Sequence, residues 1–92
     1  MEVYVACFDI TDDALRRRVG NVLLGYGARV QRSVFEILVR DRQDLDALRG
    51  ELRALVGEDD DIRFYRLCVA CRQSSTALDG GAVADFPAVV IV

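Results

Sequence analysis

The apolar and polar positions divide the chain into alternating strand-like and helix-like segments. Residues 3–8 form an apolar run rich in Val and aromatic side chains, which is typical of a strand buried on both faces. The run ends in a lone carboxylate, Asp9, and Thr11 follows as a candidate N-cap of a helix. In open α/β sheets, ligands and metals bind at the carboxyl ends of strands. The pattern therefore makes Asp9 the first candidate site residue.

Two amphipathic helices are predicted by apolar residues that recur at helical spacing. The first begins after Thr11 and ends with Gly27 as a left-handed C-cap, and its apolar stripe consists of Leu15, Val19, Val22, Leu23 and Tyr26. The second is capped by Asp41 and ends at Gly57, and its stripe consists of Leu45, Leu48, Leu52, Leu55 and Val56. We expect both stripes to pack on one sheet.

Three further strands are predicted along the chain. Residues 33–40 alternate with period two, and residues 29–31 predict a short strand that pairs back on them after a reversal near Arg32. Residues 62–71 predict the fourth strand. The polar segment 73–81 predicts a flexible linker, and the apolar segment Ala88–Val92 predicts a strand that must be added to a sheet edge. We therefore divide the chain into a domain of residues 1–72 and a linker with a C-terminal strand, residues 73–92, packed on a dimer partner.

The order strand, helix, strand, strand, helix, strand is that of the ferredoxin-like βαββαβ fold. This α+β fold has a four-stranded antiparallel sheet with both helices on one face. In the first strand, Val3, Val5 and Cys7 share a face with Asp9, while the alternate positions are also apolar. Because both faces are apolar, we expect two sheets to meet face to face in a homodimer with an added C-terminal strand.

Composition limits the chemistry that this chain can perform. Its 92 residues predict one domain; its 12 basic residues are all Arg, and it has no His. Chemistry must therefore rest on carboxylates, thiols, hydroxyls and Arg. The formal net charge of -3 means that any contact with phosphate must come from local Arg clusters.

Cysteine count and apolar run lengths indicate the compartment. Three Cys without an export signal predict a reduced, cytoplasmic protein without a disulfide framework. The longest apolar runs fall far short of the roughly 20 residues of a membrane helix. We therefore expect no membrane contact.

Three motifs, in order and at the expected spacings, resemble the Cas2 family of CRISPR-associated endoribonucleases, which are small adaptation proteins. They are Phe8–Asp13 followed by Arg16 and Arg18, the segment Gly27–Glu36, and Ile62–Cys68. The resemblance implies a homodimer with a divalent metal held by Asp9 of each protomer near the two-fold axis. It also implies a metal-dependent nuclease acting on single-stranded RNA or double-stranded DNA, and spacer acquisition together with the CRISPR integrase, Cas1.

The resemblance gives roles to particular side chains. Asp9 is expected to be the catalytic residue and the ligand of Mg²⁺ or Mn²⁺, since Mg²⁺ is typically held by one or two carboxylates. Further candidates are phosphate contacts and site-shaping aromatics, namely Arg16, Arg18, Arg29 and Ser33, and Phe8 and Phe35. From residue chemistry alone the alternatives are a helix-flanking Asp9, solvated Arg side chains, and Phe side chains that pack in the core. Glu36 is a further candidate acid.

Two functions stay open at this level. One is a metal-dependent endonuclease, and the other is a non-catalytic, dimeric DNA-binding scaffold of the integration complex; a ferredoxin-like small-molecule or regulatory domain ranks behind both. The Cys68–Cys71 CxxC pair follows a strand with no predicted helix behind it, which argues against a thioredoxin-like role. Ordinary buried or rim thiols, or a zinc ion shared by two copies, are the alternatives for this pair.

Overall fold

The structure is a computed structural model that describes residues 1–86. In chain order the elements are β1 (Glu2–Asp9), α1 (Asp13–Leu24), β2 (Gly27–Gln31), β3 (Val34–Val39), α2 (Arg42–Leu55), β4 (Asp61–Leu67) and α3 (Val69–Gln73). The four strands form one sheet in the order β2-β3-β1-β4, and every neighbouring pair is antiparallel. This confirms the predicted α+β, ferredoxin-like βαββαβ arrangement. The predicted strand Ala88–Val92 lies outside the described residues.

Alternation along the strands gives the sheet two different faces. Tyr4, Ala6 and Phe8 of β1 join one buried cluster with the inward side chains of β3, α1 and α2, which include Phe35, Ile37, Val39, Val19, Leu23, Leu45, Leu48 and Leu52. The predicted helical stripes are confirmed except at Leu55, which is not part of this cluster; Leu15, Val22, Tyr26 and Val56 pack partly buried at its edge. The core therefore lies between the sheet and the two long helices.

The opposite side of the sheet, here called the helix-free face, contains Val3, Val5, Cys7 and Asp9 of β1. Its centre is partly covered by the segment that follows α3. The Ala84 backbone N–H donates to Glu36 Oε1 at 2.9 Å, and Ala84 is 1% exposed. The Glu36 carboxylate, a candidate acid from the sequence, thus binds the chain's own backbone.

The first helix is bounded differently from the prediction. Asp12, rather than Thr11, caps α1, because the Leu15 N–H donates to Asp12 Oδ1 at 2.9 Å. The C-cap is Gly25, and Gly27 instead begins β2. A Cβ at Gly27 would lie 1.9 Å from the Glu36 carbonyl oxygen. Glycine is required at position 27 because the backbones of β2 and β3 approach closely there, and not because the chain makes a left-handed turn.

The fourth strand is shorter than predicted. It ends at Leu67, and Cys68 caps the short helix α3, so the expectations of a strand to Cys71 and of no helix after the CxxC pair were wrong. A helix of five residues is too short to show an apolar period in sequence. The segment predicted as a flexible linker contains a hydrogen-bonded loop, in which Thr76 pairs with Ala82. The division of the chain after residue 72 stays a prediction.

No helix within residues 1–86 is long and apolar enough to cross a membrane.

Candidate functional site

The last residue of β1, Asp9, lies exposed at the end of the sheet opposite another acid. Its partner in the antiparallel register with β4 is Asp61, and directly opposite residues point to the same side of a sheet. Both line a shallow cavity of about 190 Å³ together with Cys7, Phe8 and Arg63. Asp61 is the last residue of the acidic run 58–61 and was not among the candidates from sequence, so this second carboxylate was missed.

Arg63 neutralises one of the two carboxylates. Its Nε donates to Asp61 Oδ2 at 3.0 Å, and hydrogen bonds to Tyr65 and Asp61 raise the pKa of the Arg63 guanidinium. Within residues 1–86, Asp9 forms no ion pair. Like charges placed directly opposite on neighbouring strands are unfavourable. The arrangement therefore leaves net negative charge at an exposed position where a cation would be stabilised.

The donor set in one protomer is small. In the described part of the chain, no group of three or more His, Cys, Asp or Glu side chains is arranged to hold a metal ion. Two carboxylates match a Mg²⁺ ion that keeps several of its waters, but not a fully protein-ligated site. A site with more protein ligands would need groups other than the His, Cys, Asp and Glu side chains of residues 1–86.

A second cavity, here called the arginine cavity, lies between α1 and the end of β2. It measures about 300 Å³ and is lined by Phe8, Asp13, Arg16, Arg17, Arg29 and Arg32. Phe8 is the one lining residue that this cavity shares with the cavity at Asp9. Sequence reasoning missed Arg17 and Arg32. Arg18, which it did predict, is exposed and is not among the lining residues.

Arg16 supports the connection between β1 and α1. Its Nη1 donates to the Ile10 carbonyl at 2.9 Å and to the Thr11 carbonyl at 3.1 Å, and its Nη2 forms an ion pair with Asp13. These bonds engage much of the guanidinium. Arg16 therefore fixes the backbone that follows Asp9 and has fewer donors left for a ligand.

Arg29 is held by aromatic contact. Its guanidinium carbon lies 5.1 Å from the ring centroid of Phe35, which is within cation–π range. The Phe35 ring stacks on Phe8 with centroids 5.9 Å apart and an angle of 26° between the rings. Because Phe8 is 8% and Phe35 0% exposed, both rings pack in the core and position Arg29 and the end of β1.

Ser33 lies half-buried in the turn between β2 and β3. Its carbonyl oxygen accepts a hydrogen bond from the Phe8 N–H at 3.1 Å. The backbone of Ser33 thus holds the turn against the end of β1. Its predicted hydroxyl contact with phosphate stays a prediction.

Comparison with known proteins relates this arrangement to one family. Residues 1–75 match the family described as CRISPR associated protein Cas2. The chain is 41% identical over 88 residues to CRISPR-associated endoribonuclease Cas2 4 of Rhodospirillum rubrum, covering 95% of this chain and 68% of that protein. It is 37% identical over 83 residues to CRISPR-associated endoribonuclease Cas2 1 of Chloroflexus aurantiacus, covering 85% of each.

Solved structures show the same fold. One chain of a partial Cas6-RT-Cas1–Cas2 complex superposes with a TM-score of 0.85 at 30% identity, covering 94% of this chain and 100% of that chain. Cas2 of Streptococcus pyogenes superposes with a TM-score of 0.74 at 27% identity, covering 83% of this chain and 98% of that chain.

Proposed function

Because the chain belongs to the Cas2 family of CRISPR associated proteins, we propose that it is a CRISPR adaptation protein with metal-dependent endonuclease activity. Relatives named endoribonuclease or endonuclease make RNA or DNA the proposed substrate. The solved complex that contains Cas1 makes the Cas1 integrase the proposed partner in spacer acquisition. The observation that carries the proposal is the exposed Asp9 carboxylate opposite Asp61.

Asp9 and Asp61 would hold the divalent ion, for which we propose Mg²⁺ or Mn²⁺. Exposed carboxylates on one face of a sheet fit a hard cation that prefers oxygen ligands and retains water. The bound ion would supply stabilisation of the negative charge that grows on the phosphate during cleavage. Arg63 holds Asp61 in place by its 3.0 Å hydrogen bond, so Asp9 is the acid that is more available to bind the ion.

The arginine cavity would bind the phosphodiester backbone. Arg guanidinium groups bind phosphate oxygens bidentately, and Arg17, Arg29 and Arg32 have no ion pair within residues 1–86. Arg16 orients the chain after Asp9, and Arg18 would contact more distant phosphates. A net charge of -3 then confines binding to this local positive surface.

We also propose that the protein acts as a homodimer. The helix-free face has apolar, half-buried side chains such as Val5 and Cys7, and Tyr65 on the same face is 51% exposed. Packing a second copy there would remove this apolar surface from water. If the β1 ends of the two copies face each other, this packing would also bring the Asp9 of the second copy toward that of the first.

Cleavage by matched variants tests the proposal. Purified wild-type protein should cut single-stranded RNA or duplex DNA in a Mg²⁺-dependent way, and Asp9→Asn should not. Asp59→Asn removes an exposed acid of the α2–β4 loop and should cut like wild type. Equal, metal-dependent cleavage by Asp9→Asn would refute the role of Asp9. Absence of cleavage in all three proteins, with spacer integration by Cas1 intact, would favour the DNA-binding scaffold instead.

A further inference from the structure

Cys68 and Cys71 form a close dithiol at the end of the sheet away from Asp9. Their Sγ atoms lie 3.3 Å apart, and both residues are exposed. Leu67, next to Cys68, pairs with Val3, whereas Asp9 pairs with Asp61 at the other end of the same two strands. The proposed nuclease chemistry therefore makes no use of this pair.

Local geometry already brings the two sulfurs near bonding distance. Cys68 caps α3, and the Cys71 N–H donates to Cys68 Sγ at 3.4 Å. A disulfide needs the sulfurs at about 2.0 Å, so the pair must close by little more than 1 Å. Small side-chain rotations in the first turn of α3 supply such a movement.

The surroundings make the two thiols chemically different. The hydrogen bond from the Cys71 N–H and the contact with the Cys71 thiol lower the pKa of Cys68, while the contact with Cys68 raises the pKa of Cys71. The thiolate is the reactive form of cysteine. Cys68 is therefore the better nucleophile, and Cys71 is placed to resolve any bond formed at Cys68.

Two arginines line the cavity beside Cys68, together with one acid and apolar residues. The cavity measures about 170 Å³, and its lining includes Glu2, Arg66, Cys68 and Arg72. Arg66 lies 3.7 Å from the Glu2 carboxylate, and the buried Nε of Arg72 has no hydrogen-bond partner within residues 1–86. Because Arg72 also forms no ion pair within residues 1–86, its guanidinium charge favours an anion at this cavity.

The same arginines disfavour a metal cation. Structural zinc takes four ligands, and among residues 1–86 no third His, Cys, Asp or Glu joins the pair in a metal-binding group. Arg66 is paired with Glu2, so the positive charge of Arg72, which lines the same cavity as Cys68, favours a carboxylate-bearing molecule over a cation. Redox chemistry thus fits the site better than zinc.

We propose that Cys68 and Cys71 are a redox-active pair that is oxidised by a small disulfide bearing carboxylates, of which oxidised glutathione is the probe. The Cys68 thiolate attacks one sulfur of the small disulfide, whose S–S bond breaks, and one thiolate leaves and takes up a proton. The Cys71 sulfur, after losing its proton to solvent, then attacks Cys68 and releases the second small thiol. The protein dithiol loses two electrons, and the small disulfide becomes two thiols.

Intact-mass analysis of the reduced full-length chain with oxidised glutathione tests this order of events. Wild type and Cys7→Ser should lose the mass of two hydrogen atoms and keep no adduct. Cys71→Ser should accumulate one glutathione adduct at Cys68, and Cys68→Ser should react far more slowly. Peptide mapping of wild type locates the disulfide without any variant. A disulfide or adduct that involves mainly Cys7, or equal reaction of Cys68→Ser and Cys71→Ser, would overturn the proposal.

A charge comparison tests the role of the cavity. Arg72→Gln should slow oxidation by oxidised glutathione several-fold but leave oxidation by the neutral bis(2-hydroxyethyl) disulfide nearly unchanged. Arg53→Gln, which alters the distant helix α2, should change neither rate. Equal slowing with both disulfides would refute anion binding by Arg72. Stoichiometric zinc binding by the reduced protein that is lost in Cys68→Ser would replace the redox proposal with a metal site.

Discussion

Asp9 and Asp61 are direct cross-strand partners at one end of β1 and β4. The pairing of these strands from Val3–Leu67 to Asp9–Asp61 places the two acids opposite each other as the last pair of the ladder. The two carboxylates lie on one face and repel each other, and of the two only Asp61 is bound by Arg63. The fold thus holds in place a pair of charges that a divalent ion would stabilise.

Replacing Asp61 should weaken metal use without harming the fold. In Asp61→Asn we expect the Mg²⁺ concentration for half-maximal cleavage to rise at least about tenfold, because the ion loses one of its two carboxylates and even loss of a residue that only supports a ligand costs about 10- to 100-fold. The melting temperature should stay equal or rise slightly, because repulsion with Asp9 is removed. Cleavage against Mg²⁺ concentration and thermal unfolding measure the two effects. An unchanged metal requirement would show that Asp61 takes no part.

Replacing Arg32 should weaken nucleic-acid binding through charge. Each phosphate contact contributes about 0.9 to the slope of log affinity against log salt concentration for duplex DNA. We therefore expect Arg32→Gln to bind more weakly at low salt and to lower this slope by about that amount. Arg53→Gln on α2 is the matched control. Identical slopes for Arg32→Gln and wild type would exclude Arg32 from phosphate binding.

Two glycines should respond in opposite directions to alanine. The Cβ of Gly27→Ala would lie 1.9 Å from the Glu36 carbonyl oxygen and 2.7 Å from the Ile37 Cα, so β2 must separate from β3. We expect a loss of about 3 kcal/mol, typical of overpacking that shifts the backbone. Gly50 on α2 has no atom within 4 Å of the added Cβ. Gly50→Ala should therefore gain up to about 1 kcal/mol from helix propensity.

Urea unfolding of these two variants measures both changes. A stable Gly27→Ala protein would contradict the close approach of β2 and β3.

The acid sensitivity of the α2 cap should depend on Asp44. Hydrogen bonds from the backbone N–H and then the side chain of Arg40 lower the pKa of Asp44 below its ordinary value of 3.8. Because the pKa of Asp44 is lower in the folded protein, its ionised carboxylate stabilises the fold at pH values above the ordinary pKa. This stabilisation is lost as the pH falls through the pKa of the folded state. Asp44→Asn should thus be less stable than wild type near neutral pH, with the difference vanishing in acid. A difference that is the same at every pH would contradict this origin.

The longer elements of the fold, which have a clear hydrophobic pattern, were predictable from the sequence. β3 shows clear alternation and α2 clear helical spacing, so their buried residues were predicted, as was the cap at Asp41, while β1 was predicted from its apolar run. The features that were not predicted depend either on a very short element or on contacts between residues far apart in the chain. The five-residue α3 leaves no period, and the need for Gly27 depends on a backbone approach from β3, which only the folded sheet creates.

The candidate site was predictable from the sequence only in part. The strand-to-helix pattern placed Asp9 correctly at the end of β1. Asp61 was not predictable as its neighbour, because the register of β1 with β4 decides which residue of an acidic run faces Asp9. The packing of α1 against β2 likewise decides which arginines line the cavity, bringing in Arg17 and Arg32 and leaving out Arg18.

Manganese binding measured together with cleavage tests the central claim most directly. Mn²⁺ replaces Mg²⁺ in many oxygen-ligand sites, and its bound form is counted by electron paramagnetic resonance. Wild type and Asp59→Asn should bind Mn²⁺ and cleave single-stranded RNA or duplex DNA over the same concentration range, whereas Asp9→Asn should lose both. Unchanged Mn²⁺ binding and cleavage in Asp9→Asn would place the metal and the chemistry elsewhere.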